Sequence, residues 1–184
     1  MELERQVYAG RFRQGGIFMI GLNELLNYLG EVDKKLKNQI TLIAVGGTAL
    51  VLMNLKESTK DVDFCLSGKD YNEFEQTKVK TQFKVDLFKN GYIFCQQLPE
   101  DYVKFSLSSK HKFKNINLKL LNPHDIIITK LARFNERDIE DILQLLNHKK
   151  IKKEKLRERF EIIKKTYPGN EKILEENFNQ ILKI

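Results

Sequence analysis

Several protein classes are excluded by what this chain lacks. It has two cysteines, Cys65 and Cys95, in 184 residues. That is too few for a disulfide framework, so a reducing compartment, the cytoplasm, is expected. No apolar run approaches the ~20 residues of a membrane-spanning helix. The N-terminus has no apolar segment ending in small residues, as a secretory signal would. Neither a membrane anchor nor a membrane partner is therefore expected. No low-complexity segment and no internal repeat is visible.

What is present suits one folded unit. Hydrophobic residues make up 41% of the chain, enough for a real core, and the length fits a single domain with a helical appendage. The net charge of +7 favours a polyanionic partner such as RNA without establishing one. Lysine and glutamate are both frequent, so much of that charge also reads as ordinary solvated surface.

The informative stretch runs from Ile40 to Phe64. Ile40 to Val45 is short, apolar and rich in β-branched residues, which predicts a buried strand. Gly46-Gly47-Thr48 then turns the backbone, and Thr48 to Leu55 is helix-prone. After a polar loop, Asp61-Val62-Asp63-Phe64 alternates acid and apolar residues, as a half-buried strand does. Side chains two apart on a strand share a face, so Asp61 and Asp63 project together. Paired carboxylates repel unless a cation lies between them, and oxygen-only ligation suits Mg²⁺ or Mn²⁺. Glycines where a strand enters a helix let a phosphate approach the backbone closely. Asp61 and Asp63 are the candidate metal ligands; Gly46, Gly47 and Thr48 are the candidate phosphate cradle.

A glycine turn, a short helix, Asp-x-Asp and a later acid in a strand together resemble the DNA polymerase β-like nucleotidyltransferase superfamily, over roughly residues 40 to 146. The resemblance implies an α/β (α+β) fold, a mixed sheet flanked by helices with a helical C-terminal part. It implies metal-dependent transfer of a nucleoside monophosphate from an NTP to an acceptor hydroxyl or phosphate. It also implies a third acid on a neighbouring strand, which Asp86 in the strand-like run Phe83 to Phe88 offers; Asp61, Asp63 and Asp86 would be the catalytic metal ligands. Relatives commonly carry an arginine just before the Asp-x-Asp. Here the loop has none, and Lys56 or Lys60 could substitute as a point charge without the bidentate fork.

The rest of the chain reads in order. Residues 1–18 form a possible peripheral extension. Met19 makes a more convincing domain start and is the expected native one, with a genuine N-terminal arm as the alternative. Residues 19–121 read as the core and 122–184 as a helical region. Leu22 to Lys37 is an amphipathic helix. Asp70 to Lys80 reads as a short helix with Asp70 a candidate cap. Lys89-Asn90-Gly91 reads as a hairpin turn before a strand, Tyr92 to Gln96. Tyr102 to Leu107 and Phe113 to Leu121 alternate like further strands.

Asn122-Pro123 is a strong helix start, and a second helix begins near Asn135. Lys130 and Arg133 share a helix face, and so do Asp138 and Asp141. These charges suit the two helix ends and could simply pair across the turn. The segment Leu121 to Leu145 also resembles the C-terminal helices of small uncharacterised prokaryotic nucleotidyltransferases, some of them toxins of toxin–antitoxin pairs. That resemblance implies that Lys130 is catalytic and contacts nucleotide phosphate, that Lys60 helps bind it, and that Asp138 or Asp141 orients the lysine or binds substrate. The expected acceptor is RNA, tRNA included, or protein, and an antitoxin partner is implied. Two alternatives stay open: an inactive binding module that keeps the fold, and nucleotide transfer to a small molecule such as an aminoglycoside antibiotic. Lys149 to Lys165 is a basic helix, read as a solvated face or an RNA-facing ridge; Glu171 to Ile184 forms a last amphipathic helix.

Overall fold

The computed structural model describes residues 13–14 and 17–184. The reading of residues 1–18 as a peripheral extension falls, apart from 13–14 and 17–18, outside the described residues. In chain order the elements are β1 (Arg13–Gln14), β2 (Ile17–Phe18), β3 (Ile20–Gly21), α1 (Leu22–Lys35), β4 (Ile40–Ala44), α2 (Gly46–Leu52), β5 (Ser58–Thr59), β6 (Val62–Leu66), α3 (Gly68–Glu75), β7 (Val85–Lys89), β8 (Tyr92–Ile93), β9 (Gln96–Gln97), α4 (Tyr102–Phe105), β10 (Leu107–Ser108) and β11 (Ile116–Leu120). Four helices follow: α5 (Pro123–Leu131), α6 (Glu136–His148), α7 (Lys153–Lys164) and α8 (Glu171–Leu182).

The main sheet has seven strands in the order β10-β11-β4-β6-β7-β8-β9. It is mixed: β11 with β4 and β6 with β7 run parallel, the other neighbours antiparallel. Helices flank it, and the last four form a helical C-terminal region. This is the expected fold class. Among the described residues no helix is long and apolar enough to cross a membrane.

Two elements position the site. Strand β6 is central, and all five of its residues are buried. The alternation predicted one wet face, but that face lies beneath the C-terminal helices, so Asp63 is enclosed while Asp61, just before the strand, stays exposed. Helix α5 is buried on every side, from Pro123 to Leu131. Ile126, Ile127 and Ile128 are each fully buried, and burial of such a side chain contributes about 1.5–3 kcal/mol. Asn122 caps α5 by accepting from the His124 amide, with Pro123 in the first turn.

An ion pair fixes the helical region on that helix. Asp125 is fully buried and receives both Arg159 Nε and an Arg159 terminal nitrogen, the latter at 2.6 Å; Arg159 also donates to Asp101 at 2.9 Å. His124 accepts from the Lys152 amide at 3.2 Å. The Pro-His-Asp run thus holds α7 onto α5.

Three local expectations are corrected. Tyr102 to Leu107 is not a strand: Tyr102–Phe105 forms α4, because the buried Tyr102 ring reaches Cys65 Sγ and the Ser106 hydroxyl bonds back to the Tyr102 carbonyl at 2.7 Å. Tertiary packing overrides the aromatic and β-branched propensity there. Tyr92 to Gln96 is two short strands split by a turn at Phe94-Cys95. Ser67, not Asp70, caps α3, its hydroxyl accepting from the Asp70 amide at 3.1 Å; the Asp70 carboxylate accepts instead from Thr41 N on β4.

Candidate active site

Strands β6 and β7 are parallel neighbours, and Asp63 and Asp86 are direct register partners. Side chains at paired positions project to the same face of a sheet, so the two carboxylates lie side by side. Asp61 precedes Asp63 by two residues, and all three line one cleft of about 1040 Å³. Asp63 is 9% exposed. Burial, and then the charges of Asp86 and Asp61, raise its pKa from 3.8 to about 7; Lys130 and Lys84 offset this only in part.

The glycine turn abuts these acids. Gly46 has φ of +51°, and a Cβ there would come within 3.2 Å of Asp63 Oδ2. A Cβ on Gly47 would meet Thr59 Oγ1 at 2.6 Å. Both glycines line the cleft. Thr48 does not face it: the residue is fully buried, its hydroxyl accepting from Asp63 N at 2.9 Å and donating to Asp61 O at 3.4 Å. The phosphate contact expected of Thr48 is replaced by a hold on the Asp61-Val62-Asp63 backbone.

The opposite wall is a chain of alternating charges. Lys130, 6% exposed, reaches Asp138 Oδ1 at 3.1 Å and Asp141 Oδ2 at 2.8 Å. Arg133 grips Asp138 with two hydrogen bonds of 2.6 Å, and Lys56 reaches across to Asp141 Oδ1 at 2.8 Å. Burial pushes the Asp138 carboxyl up, but hydrogen bonds and charge from Arg133 and Lys130 outweigh that and leave it below its ordinary value. Lys130 sits on α5, while both aspartates sit on the first two turns of α6, which Asn135 caps. The expected pairing across the turn and the expected place of Lys130 beside the acids therefore coexist. Lys60 lines the cleft as well.

Among the described residues, no three His, Cys, Asp or Glu side chains close into a ready-made metal cage. Asp86 is instead turned to Lys84, whose ammonium stands 2.7 Å from Oδ2. The donors are all carboxylate oxygens, a set that fits Mg²⁺ or Mn²⁺.

Over residues 19–181 the sequence matches the protein family described as "Nucleotidyltransferase of unknown function (DUF6036)". The chain belongs to this family. The matched span contains the whole cleft, from Met19 to Asp141. No curated protein and no solved structure matches the chain.

Two wall residues of this nucleotidyltransferase-family chain escaped the sequence reading. Lys84 lies two residues before Asp86 and so tends to the same face, a signal the alternation argument could have used. Phe94 lines the cleft from a turn with no turn-like residue in it, and nothing in the pattern marks it. Arg133 was visible only as a neighbour of Lys130 on the helix face.

Proposed function

We propose that this protein transfers a nucleoside monophosphate from an NTP to an acceptor hydroxyl or phosphate, with a divalent cation at Asp61, Asp63 and Asp86. The observation that carries the reading is the register pairing of Asp63 with Asp86 beside Gly46, at the floor of a cleft walled by lysine and arginine. A second observation supports the metal. The cleft lining holds six lysine and arginine side chains (Lys56, Lys60, Lys84, Lys130, Arg133, Arg137) against seven carboxylates (Glu57, Asp61, Asp63, Asp86, Asp138, Glu140, Asp141). That balance does not attract a triphosphate unless divalent cations are added.

When bound, Mg²⁺ or Mn²⁺ supplies charge neutralisation on the phosphates and acidifies the acceptor hydroxyl. Asp61, Asp63 and Asp86 would hold it. Gly46 and Gly47 leave room for a phosphate against the backbone. Lys130, fixed by Asp138 and Asp141, places its ammonium toward the reacting phosphoryl group, and Arg133 and Lys60 stand nearer the mouth. Displacement at the α-phosphorus expels pyrophosphate, and the fixed cations of the wall stabilise the charge that develops on it.

The breadth of the cleft suits a macromolecular acceptor, and RNA, tRNA included, is the acceptor we favour. Incubation with α-³²P-labelled NTPs and Mg²⁺, separately with total RNA, protein and an aminoglycoside, tests this. Label should pass to RNA in the wild type and not in Asp63→Asn. Metal-dependent binding of NTP with no transfer to any acceptor would instead support the inactive module. Growth arrest on expression, lost in Asp63→Asn, would tie the activity to a toxin role.

A further inference from the structure

Two successive two-residue turns close the edge of the sheet, and their chemistry differs. Asn90-Gly91 joins β7 to β8 with φ of 53° and 80°; Phe94-Cys95 joins β8 to β9 with φ of 49° and 64°. Positive φ at both central positions is the tight-hairpin geometry that Asn-Gly suits. A bulky side chain in that conformation is sterically disfavoured, and it persists only where its surroundings hold it. The turn places the Phe94 ring beside the reacting groups. The ring packs edge-on against Phe88, with centroids 4.8 Å apart. A Cβ added to Gly46 would come within 3.4 Å of the ring and within 3.2 Å of Asp63 Oδ2. Ring, glycine and carboxylate therefore meet at one point. Half-buried and facing the cleft, Phe94 is the one aromatic among the described residues that line it.

We propose that Phe94 is the wall against which the base of the bound nucleotide packs, an inference that rests on the nucleotidyl-transfer reading above. Apart from the flexible thioether of Met19, the remaining lining is charged, polar or small, and offers no other flat apolar surface to a heterocycle. A phenyl ring has no hydrogen-bonding edge, so this wall accepts purines and pyrimidines without distinguishing base edges.

The test is calorimetric titration, in Mg²⁺, of the wild type, Phe94→Asn and Phe94→Tyr with the α,β-methylene analogues of the four NTPs and with inorganic tripolyphosphate. Asn tolerates the left-handed turn, so Phe94→Asn keeps the backbone while removing the ring; Phe94→Tyr keeps the ring. Phe94→Asn should lose about tenfold in affinity for all four analogues, the scale of a lost base–aromatic stack, with tripolyphosphate binding unchanged. Phe94→Tyr should bind like the wild type. Analogue affinity retained in Phe94→Asn overturns the wall and leaves the transfer reading standing. An equal loss for tripolyphosphate also overturns it, since the ring would then only prop the phosphate site. A wild type that binds none of the analogues removes the transfer reading, and the wall with it.

Discussion

Replacing Asp63 with Asn should make the metal-free protein more stable above neutral pH while ending catalysis. Asp63 is 9% exposed, and its pKa stands near 7 rather than 3.8 because burial and the charges of Asp86 and Asp61 disfavour ionisation. The folded state therefore holds this proton more tightly than the unfolded chain does. Between pH 3.8 and about 7 stability must fall as pH rises, and above pH 7 the full penalty remains. At about 1.4 kcal/mol per unit, the gap sets a ceiling of about 4 kcal/mol. The open mouth of the cleft admits solvent and screening ions, so about 1–3 kcal/mol is the expected gain for Asp63→Asn at pH 8. For a chain of this size that is about 2–4 °C per kcal/mol in Tm.

Urea unfolding in EDTA at pH 4 and pH 8, wild type beside variant, reads this group together with the relief it gives Asp61 and Asp86, while the distant titrations cancel. The curves should converge at pH 4 and separate at pH 8, with the variant higher. Added Mg²⁺ should reverse the order, since a ligand at a hundredfold excess over its Kd stabilises by about 2.7 kcal/mol only where it binds. A variant less stable than the wild type at pH 8 in EDTA, or equally stabilised by Mg²⁺, would refute the claim that the three carboxylates are held against their own repulsion.

Lys130→Met should cost about 1–3 kcal/mol, less than a fully stranded charge because Asp138 keeps Arg133 and Asp141 keeps Lys56; Lys130→Met with Asp141→Leu should recover part of that in urea unfolding without restoring transfer. Asp138 has a depressed carboxyl, so its contribution to stability is present above the unfolded value of 3.8 and is lost as pH falls through the lower folded value; Asp138→Asn should flatten that part of the acid limb relative to the wild type. Arg159→Met should cost about 3–5 kcal/mol by stranding Asp125, and the double variant with Asp125→Leu should regain most of it while nucleotide binding is unchanged. Gly46→Ala should cost about 1–2 kcal/mol for its left-handed φ and, by crowding Asp63 Oδ2, should weaken Mg²⁺ binding more than its stability loss explains.

The legible parts of the fold were those with a local period and a local terminator. Helix α1 announced itself through a stripe of leucines, α5 and α6 through Asn122-Pro123 and Asn135, and β4 through a short apolar run rich in β-branched residues. What failed were segments whose conformation is decided at a distance. Tyr102 to Leu107 alternates well enough for a strand, yet its tyrosine is drawn under the sheet to Cys65 and the backbone coils to deliver it. Tyr92 to Gln96 carries no glycine, asparagine or proline at its centre, so the reversal at Phe94-Cys95 has no composition signal. Asp125 and Arg159 are 34 residues apart, and no pattern in either helix says that one buried charge waits for the other.

The site divides along the same line, which bears on how such centres are found. Asp61 and Asp63 were readable because a strand's period of two turns spacing into direction; Asp86 was legible only through the family resemblance, since its parallel pairing with Asp63 is a contact between strands that no local pattern carries. Thr48 turns its side chain away from the cleft although it stands next to the glycines. The same helix start that exposes Gly46 and Gly47 turns the third residue inward, where its hydroxyl serves the Asp63 amide. Lys56 shows the converse. It occupies the loop where relatives carry an arginine, but its charge goes to Asp141 on the far wall. Lys130 on α5 and Arg133 in the turn before α6 line the same cleft, and on the proposed reading they take the place of that cation. A charge brought to the cleft from a distant helix in this way is invisible to any motif confined to one stretch of chain.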